Sequence, residues 1–366
     1  MTPEEVELLS QLTIVIPTAN RPLELERKIE YWRDLPVTVH FLDGSERPCF
    51  PNGLLPATQK IFYHHMPPKQ GQNWVENIQE RAVFGSTLSK TKFSAIECDD
   101  DYYTASGLIL SIKILESQKN IDAVAGYILT YVRDKKLLWY HKYAPRPGRA
   151  DLETTSIEKK LKTRSSWFSY AICKTELWKV FLLTCYEAKE FTKANFFAHE
   201  WMMFLLSKAM FRTRYIDIIQ MVRQDTVVGA NQGPEIPWEH FVCDSQNAGF
   251  IDEIVVQLAK GFNAVTPLSE HSKNLELARE QMQLAQIRAS KSGTALQKSK
   301  TPKSVLGNIL FFFFPGLDTF WDRPRRLKYL WETSKYQYSA EQQREVEEIE
   351  KLLLKPREEL RLRANI

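Results

Sequence analysis

Three consecutive aspartates, Asp99-Asp100-Asp101, stand just past the apolar run at 93–96, separated from it by Glu97 and Cys98. Adjacent carboxylates repel one another, so such a cluster persists best beside a cation. Oxygen donors select hard ions, which predicts Mg²⁺ or Mn²⁺ near these residues with positions left open for phosphate oxygens. An ion so placed would neutralise a departing diphosphate. The same three residues also read as a solvated acidic turn, a common use of aspartate.

Two further polar clusters follow apolar runs. Thr18-Ala19-Asn20-Arg21 comes after 12–16 and Pro17, and Asp43-Gly44-Ser45 closes 37–42. Arg21 suits a phosphate or plain solvation. Asp43 can accept hydrogen bonds from a ribose or a base N–H, and Asp-Gly-Ser is equally an ordinary turn. In the second half, Glu200 and His199 lie in NFFAHEW, and Arg223 follows the apolar run at 213–219. Glu200 has a bland alternative as a favourable charge near a helix N-terminus. Arg223 has one as a salt-bridge partner. His64-His65 reads as packing. Trp139, Tyr140, Tyr143, Trp167 and Phe168 suit stacking on an acceptor sugar or a place in the core.

The elements that position these residues alternate. Strands are expected at 12–16, 37–42, 61–64 and 93–96. Between them, Leu25, Ile29 and Trp32 share one helical face, as do Val75, Ile78 and Ala82 within 71–86, and Thr18 or Asn20 suits the cap of the first of these helices. Strand-helix alternation predicts an α/β fold, a mostly parallel sheet with helices on both faces. Ligands bind such sheets beyond the carboxyl ends of the strands, where Thr18–Arg21, Asp43–Ser45 and Asp99–Asp101 all fall. Further strands are expected at 123–132, 169–173 and 213–219, and helices at 200–210, 251–260 and 275–287. Residues 289–304, polar and basic, read as a linker. In the terminal piece, Ser339 and Gln342 fit a capping box, with Val346, Ile349 and Leu353 on one helical face.

Composition bounds the function. The 366 residues are 43% hydrophobic and 26% charged, ordinary for a folded chain with a full core. A net charge of +4 from 49 basic and 45 acidic residues gives no case for nucleic-acid binding. Five cysteines without metal-site spacing read as reduced thiols, and the chain is expected in the cytoplasm. No apolar run approaches the ~20 residues needed to span a bilayer. Residues 305–331, with Phe311 to Phe314 followed by Arg323, Arg325, Arg326 and Lys328, suit peripheral contact with the inner membrane face, a protein partner, or packing on the main domain.

LTIVIPTANRPLELERKIEYW, FLDGS, GQNWVENIQERA and FSAIECDDDYY, in that order, resemble the N-terminal half of family 2-like GT-A glycosyltransferases. The resemblance spans about residues 12–108 and extends more loosely to 223. It implies a GT-A-type domain over 1–265, with a nucleotide-binding half at about 1–110 and an acceptor half at about 111–265. A helix and basic linker at 266–304 and an aromatic and amphipathic helical extension at 305–366 would follow. It implies transfer of a sugar from a nucleotide-diphospho-sugar to a hydroxyl of a glycan or lipid-linked glycan, with inversion. Thr18 and Asp43 would line the base, Asp99 would contact the ribose, and Asp101, assisted by Asp99 and Asp100, would hold the metal. Arg223 would sit near the diphosphate. Glu200 matches the family's general base, with His199 beside it where relatives carry an acidic partner. The acidic motif departs from the family's pattern in one respect: Glu97-Cys98 stands where many relatives have aspartate before the acidic pair. A nucleotidyltransferase is a weaker match, because Pro17 to Pro22 contains no glycine to grip a triphosphate. A non-catalytic glycan- or partner-binding module is the remaining alternative.

Overall fold

The computed structural model describes residues 1–50, 60–132, 137–140, 153–162, 170–187, 196–224, 238–299, 339–356 and 359. The chain opens with helix α1 (Pro3–Ser10), strand β1 (Leu12–Thr18) and helix α2 (Pro22–Trp32). Then come β2 (Thr38–Asp43), β3 (Ile61–His65), α3 (Trp74–Leu88), β4 (Phe93–Ile96), β5 (Asp101–Tyr103) and α4 (Ala105–Ser117). The middle holds β6 (Ala123–Val132), β7 (Leu137–Tyr140), α5 (Ile157–Lys162), β8 (Ile172–Lys174) and α6 (Thr175–Glu187). Last are α7 (Phe196–Met210), β9 (Thr213–Gln224), α8 (Trp238–Cys243), α9 (Ala248–Asn263), α10 (His271–Ser299) and α11 (Ala340–Leu354).

The described strands form one sheet in the order β3-β2-β1-β4-β8-β6-β9-β5, with β7 beside β6. β1 pairs in parallel with β2 and β4, β2 with β3, and β6 with β9. Strand β8 runs antiparallel to both β4 and β6 and joins the two parallel groups. The result is a mixed α/β fold. Side chains alternate across it as the pleat requires. Val15 packs on the face covered by α3, α6, α7, α9 and α10, while Ile14 and Ile16 pack on the face covered by α1, α2 and α4.

Two expectations change. The first concerns the cap of α2: it begins at Arg21 with no side-chain cap and Pro22 in the first turn. Thr18 is bound instead to Asp99, and Asn20 adopts a left-handed backbone (φ 58°), a conformation asparagine tolerates. The second concerns 289–304: the α10 backbone runs on to Ser299. Ala289, Lys291, Ala295, Leu296 and Lys298 favour helix strongly enough to override the polar, punctuated composition. Among the described residues no helix is long and apolar enough to cross a membrane. Residues 305–331, Tyr143, Trp167 and Phe168 lie outside the described residues, and Trp139 and Tyr140 are placed only as backbone of β7.

Helix α11 explains an oddity of α2, whose Glu26, Arg27, Lys28 and Glu30 are all buried. Val346, Ile349 and Leu353 pack with Tyr102, Leu129, Ile219 and Val222, placing α11 over β5 and β9. Glu345 accepts hydrogen bonds from Ser106 N (2.9 Å) and Ser106 Oγ (2.5 Å), at the start of α4. Past the helix, Lys355 O accepts from Arg27 Nη2 (3.2 Å) and Lys355 Nζ reaches Glu30 (3.4 Å). Ile349→Ala should lower the unfolding free energy by about 2–5 kcal/mol, the range for emptying a buried aliphatic site. Leu354→Ala, at a 42% exposed residue, should stay within about 0.5 kcal/mol. Urea titration of both variants measures this; equal effects would mean that α11 is not docked.

Candidate functional site

Four acidic residues within 97–101 can share a loop only if each charge meets a partner. Glu97 is fully buried. Its Oε2 lies 2.8 Å from Lys28 Nζ and accepts from Trp32 Nε1 (3.0 Å), and its Oε1 accepts from Tyr103 N (3.0 Å). Lys28 also stands 4.0 Å above the Tyr102 ring. Helix α2 thereby clamps both ends of the acidic loop. Asp99 Oδ2 accepts from Thr18 Oγ1 (2.7 Å), and Arg21 Nη1 bridges Asp99 Oδ1 (2.7 Å) and Asp100 Oδ2 (2.9 Å). Asp101 opens β5, where its register partner on β9 is Arg223.

Burial pushes the Asp101 carboxyl up, Asp100 adds to the shift, and Arg223 opposes it. Asp99 is raised by burial and by Asp100, against the pull of Arg21. Asp101 is 1% exposed, and its Oδ1 has no hydrogen-bond partner among the described residues. One oxygen each from Asp100 and Asp101 and the Cys98 sulfur lie within 4.8 Å of one another. That donor group suits a divalent cation. Asp99 stands outside it, its oxygens taken by Thr18 and Arg21.

The second loop is held separately. Asp43 is fully buried. Its Oδ1 accepts from Ser45 N (2.9 Å) and Oγ (2.5 Å), and its Oδ2 from Cys49 N (2.8 Å) and Tyr63 Oη (2.5 Å). With every ordinary acceptor position used, Asp43 shapes the turn instead of lining the cleft. Ser45 Oγ also accepts from Asn20 N (2.7 Å), tying this turn to the first.

A cleft of about 740 Å³ opens between these loops, lined by Thr18, Arg21, Gly44, Arg81, Asp99 and Asp100 among others. Trp74, Asn77, Ile78 and Arg81 form its wall along one face of α3. Asn73 caps that helix in a reciprocal box with Glu76. Arg81 is buried; its Nη1 donates to Leu42 O (2.8 Å) and to Thr18 O, carbonyls at the ends of β2 and β1. A Cβ at Gly44 would fall 2.5 Å from Arg81 Cζ, so any larger residue there would displace this guanidinium. An apolar pocket of about 140 Å³ adjoins the cleft through Pro17, Ile78 and Cys98, and Glu200 and His199 are among its lining residues.

The structure therefore gathers Thr18, Arg21, Asp99 and Asp100 at one strand-end cleft, sets the buried Asp101 next in the chain opposite Arg223 of β9, and puts Glu200 and His199 in the adjoining pocket. Sequence reasoning missed Arg81, Lys28 and Tyr170. Arg81 gave a signal, as a charge next to the apolar stripe of Val75, Ile78 and Ala82. Tyr170, whose Oη lies 3.2 Å from Cys98 Sγ, gave none.

No protein-family model matches the chain, and no curated protein matches it. Among solved structures it is similar to S. aureus TarS, at 12% identity and a TM-score of 0.40, over 77% of this chain and 55% of that one. The chain thus spans about half the length of that protein.

His199 is buried, and its Nδ1 lies 2.7 Å from Gln79 Nε2. The imidazole and the Gln79 amide thus form a buried side-chain pair. Burial pushes this imidazole down from 6.5 to about 4. A base depressed in the folded state lets the unfolded chain bind more protons once the pH drops below about 6.5. Its stabilisation is present above that pH and is lost as the pH falls toward 4, at up to about 1.4 kcal/mol per pH unit. His199→Asn should flatten the fall in unfolding free energy between about pH 7 and pH 4. An unchanged slope would mean that the ring is not buried neutral.

Proposed function

We propose that this chain is a glycosyltransferase that binds a nucleotide-diphospho-sugar in the strand-end cleft and transfers the sugar to a hydroxyl of a glycan or lipid-linked glycan, with inversion. The observation that carries the reading is the convergence of Arg21, Arg81 and the aspartate loop on a cleft of about 740 Å³ at the carboxyl ends of β1, β2 and β4. That volume lies in the range of small-molecule sites, and that position is where open α/β sheets hold ligands.

Arg21 is the cation best placed for the diphosphate, since its guanidinium already spans two carboxylates and retains donors for phosphate oxygens. Arg81 holds the floor by fixing the ends of two strands. Asp101 and Asp100 would hold Mn²⁺ or Mg²⁺, a donor set that fits the orphaned Asp101 oxygen. When bound, such an ion supplies charge neutralisation for the leaving diphosphate. The base and ribose would then meet the Thr18 and Gly44 turns and the α3 wall, with Arg223 near the diphosphate through its place beside Asp101.

Glu200 is assigned as the general base, taking the acceptor proton as the acceptor oxygen attacks the anomeric carbon. It lines the apolar pocket that adjoins the cleft, where a bound acceptor hydroxyl would meet it. His199 is the poorer base: its imidazole is depressed and its Nδ1 is occupied by Gln79.

Thermal shift of the full chain against UDP, GDP, TDP and CMP, each with and without Mn²⁺, should show one diphosphate whose stabilisation needs the metal. Asp101→Ala should abolish that dependence while melting stays cooperative. Glu200→Gln should bind nucleotide normally and lose about 10²- to 10⁴-fold in kcat, the range of general-base loss. A Glu200→Gln enzyme with full turnover, or a His199→Asn loss larger than that of Glu200→Gln, would reject the assignment of the base.

A further inference from the structure

The acidic loop holds a donor that oxygen-only reasoning leaves unused. Cys98 is exposed, and its sulfur lies within 4.8 Å of oxygens of both Asp100 and Asp101. A divalent ion bound at ordinary Zn–S and Zn–O lengths sets its ligand atoms roughly 3 to 4 Å apart, so small side-chain rotations would close the group. The independent observation is the Asp101 oxygen, deeply buried and without a hydrogen-bond partner among the described residues, a placement that is costly unless a cation completes it. Tyr170 Oη, 3.2 Å from the sulfur, stands where an outer-shell partner would steady a thiolate.

We propose that Cys98 is a metal ligand, its thiolate joining Asp100 and Asp101 in a sulfur–oxygen site that favours Zn²⁺ and Co²⁺ over Mg²⁺. The inference rests on reading the acidic loop as a cation site. Thiolate is a soft donor and Mg²⁺ a hard, strongly hydrated ion, so one sulfur among three ligands moves preference along the divalent series. Binding releases the thiol proton to solvent, so uptake of the metal is accompanied by acid. Three protein ligands leave at least one position for a phosphate oxygen, which keeps the site compatible with a nucleotide. Cys173 and Cys185 are buried elsewhere in the core and cannot contribute.

The test uses the full chain and Co²⁺. Wild type should show a near-ultraviolet sulfur-to-cobalt charge-transfer band that Zn²⁺ abolishes. Cys98→Ser should lose the band and weaken Zn²⁺ binding by more than about 10-fold, since even an outer-shell partner is worth roughly 10- to 100-fold. Its Mn²⁺ affinity should change by only a few-fold. As a readout on unmutated protein, Zn²⁺ should slow alkylation of Cys98 by iodoacetamide, followed by peptide mass, and should fail to do so in Asp101→Asn. Co²⁺ binding without the band, or Zn²⁺ affinity unchanged in Cys98→Ser, overturns the ligand assignment and leaves the transferase reading standing. A band that appears as expected, while no nucleoside diphosphate binds, supports the metal site and defeats the transferase reading.

Discussion

The ion pair between Lys28 and Glu97 is the interaction on which the site depends. Both side chains are fully buried, so each charge would be expensive alone. Breaking a buried pair by removing one partner costs about 3–5 kcal/mol, and here it would also release Tyr103 N and Trp32 Nε1 from the same carboxylate. Through Glu97, helix α2 fixes the start of the acidic loop. Through Lys28 over Tyr102 it fixes the strand that follows. The three aspartates between these anchors are held by Thr18 and Arg21 on one side and stand beside Arg223 on the other.

A loop so pinned needs a cover for the pinning helix, and α11 supplies it. Its Glu345 lies 239 residues from Ser106 in sequence, yet the helix closes the face that α2, α4 and β5 present together. Buried polar groups of α2 find partners on Lys355, and the apolar side of Tyr102 finds Val346 and Ile349. Helix α11 is thereby part of the core that backs the acidic loop.

Much of this was legible in the sequence, because it depends on local pattern. The 12–16, 37–42 and 93–96 runs, each followed by a polar cluster, placed the loops at strand ends, and the spacing of Val346, Ile349 and Leu353 gave the buried face of α11. What escaped were relations between distant residues. Asp43 looked like a ligand because nothing local says that Ser45, Cys49 and Tyr63 of β3 will fill its acceptor positions. Asp99 looked like a metal ligand because nothing local says that Thr18 and Arg21 will claim it. The continuation of α10 past 289 escaped because helix propensity there outweighs a polar composition.

If the acidic loop and the strand-end cleft form one site for a metal and a diphosphate, both must be found there together. Anomalous scattering at the manganese edge, from crystals of the full chain grown with Mn²⁺ and the diphosphate that stabilises it, tests this most directly. The predicted result is a peak against Asp100 and Asp101, with the diphosphate reaching from it toward Arg21. A nucleotide bound outside the cleft, or a metal peak away from Asp101, would contradict it.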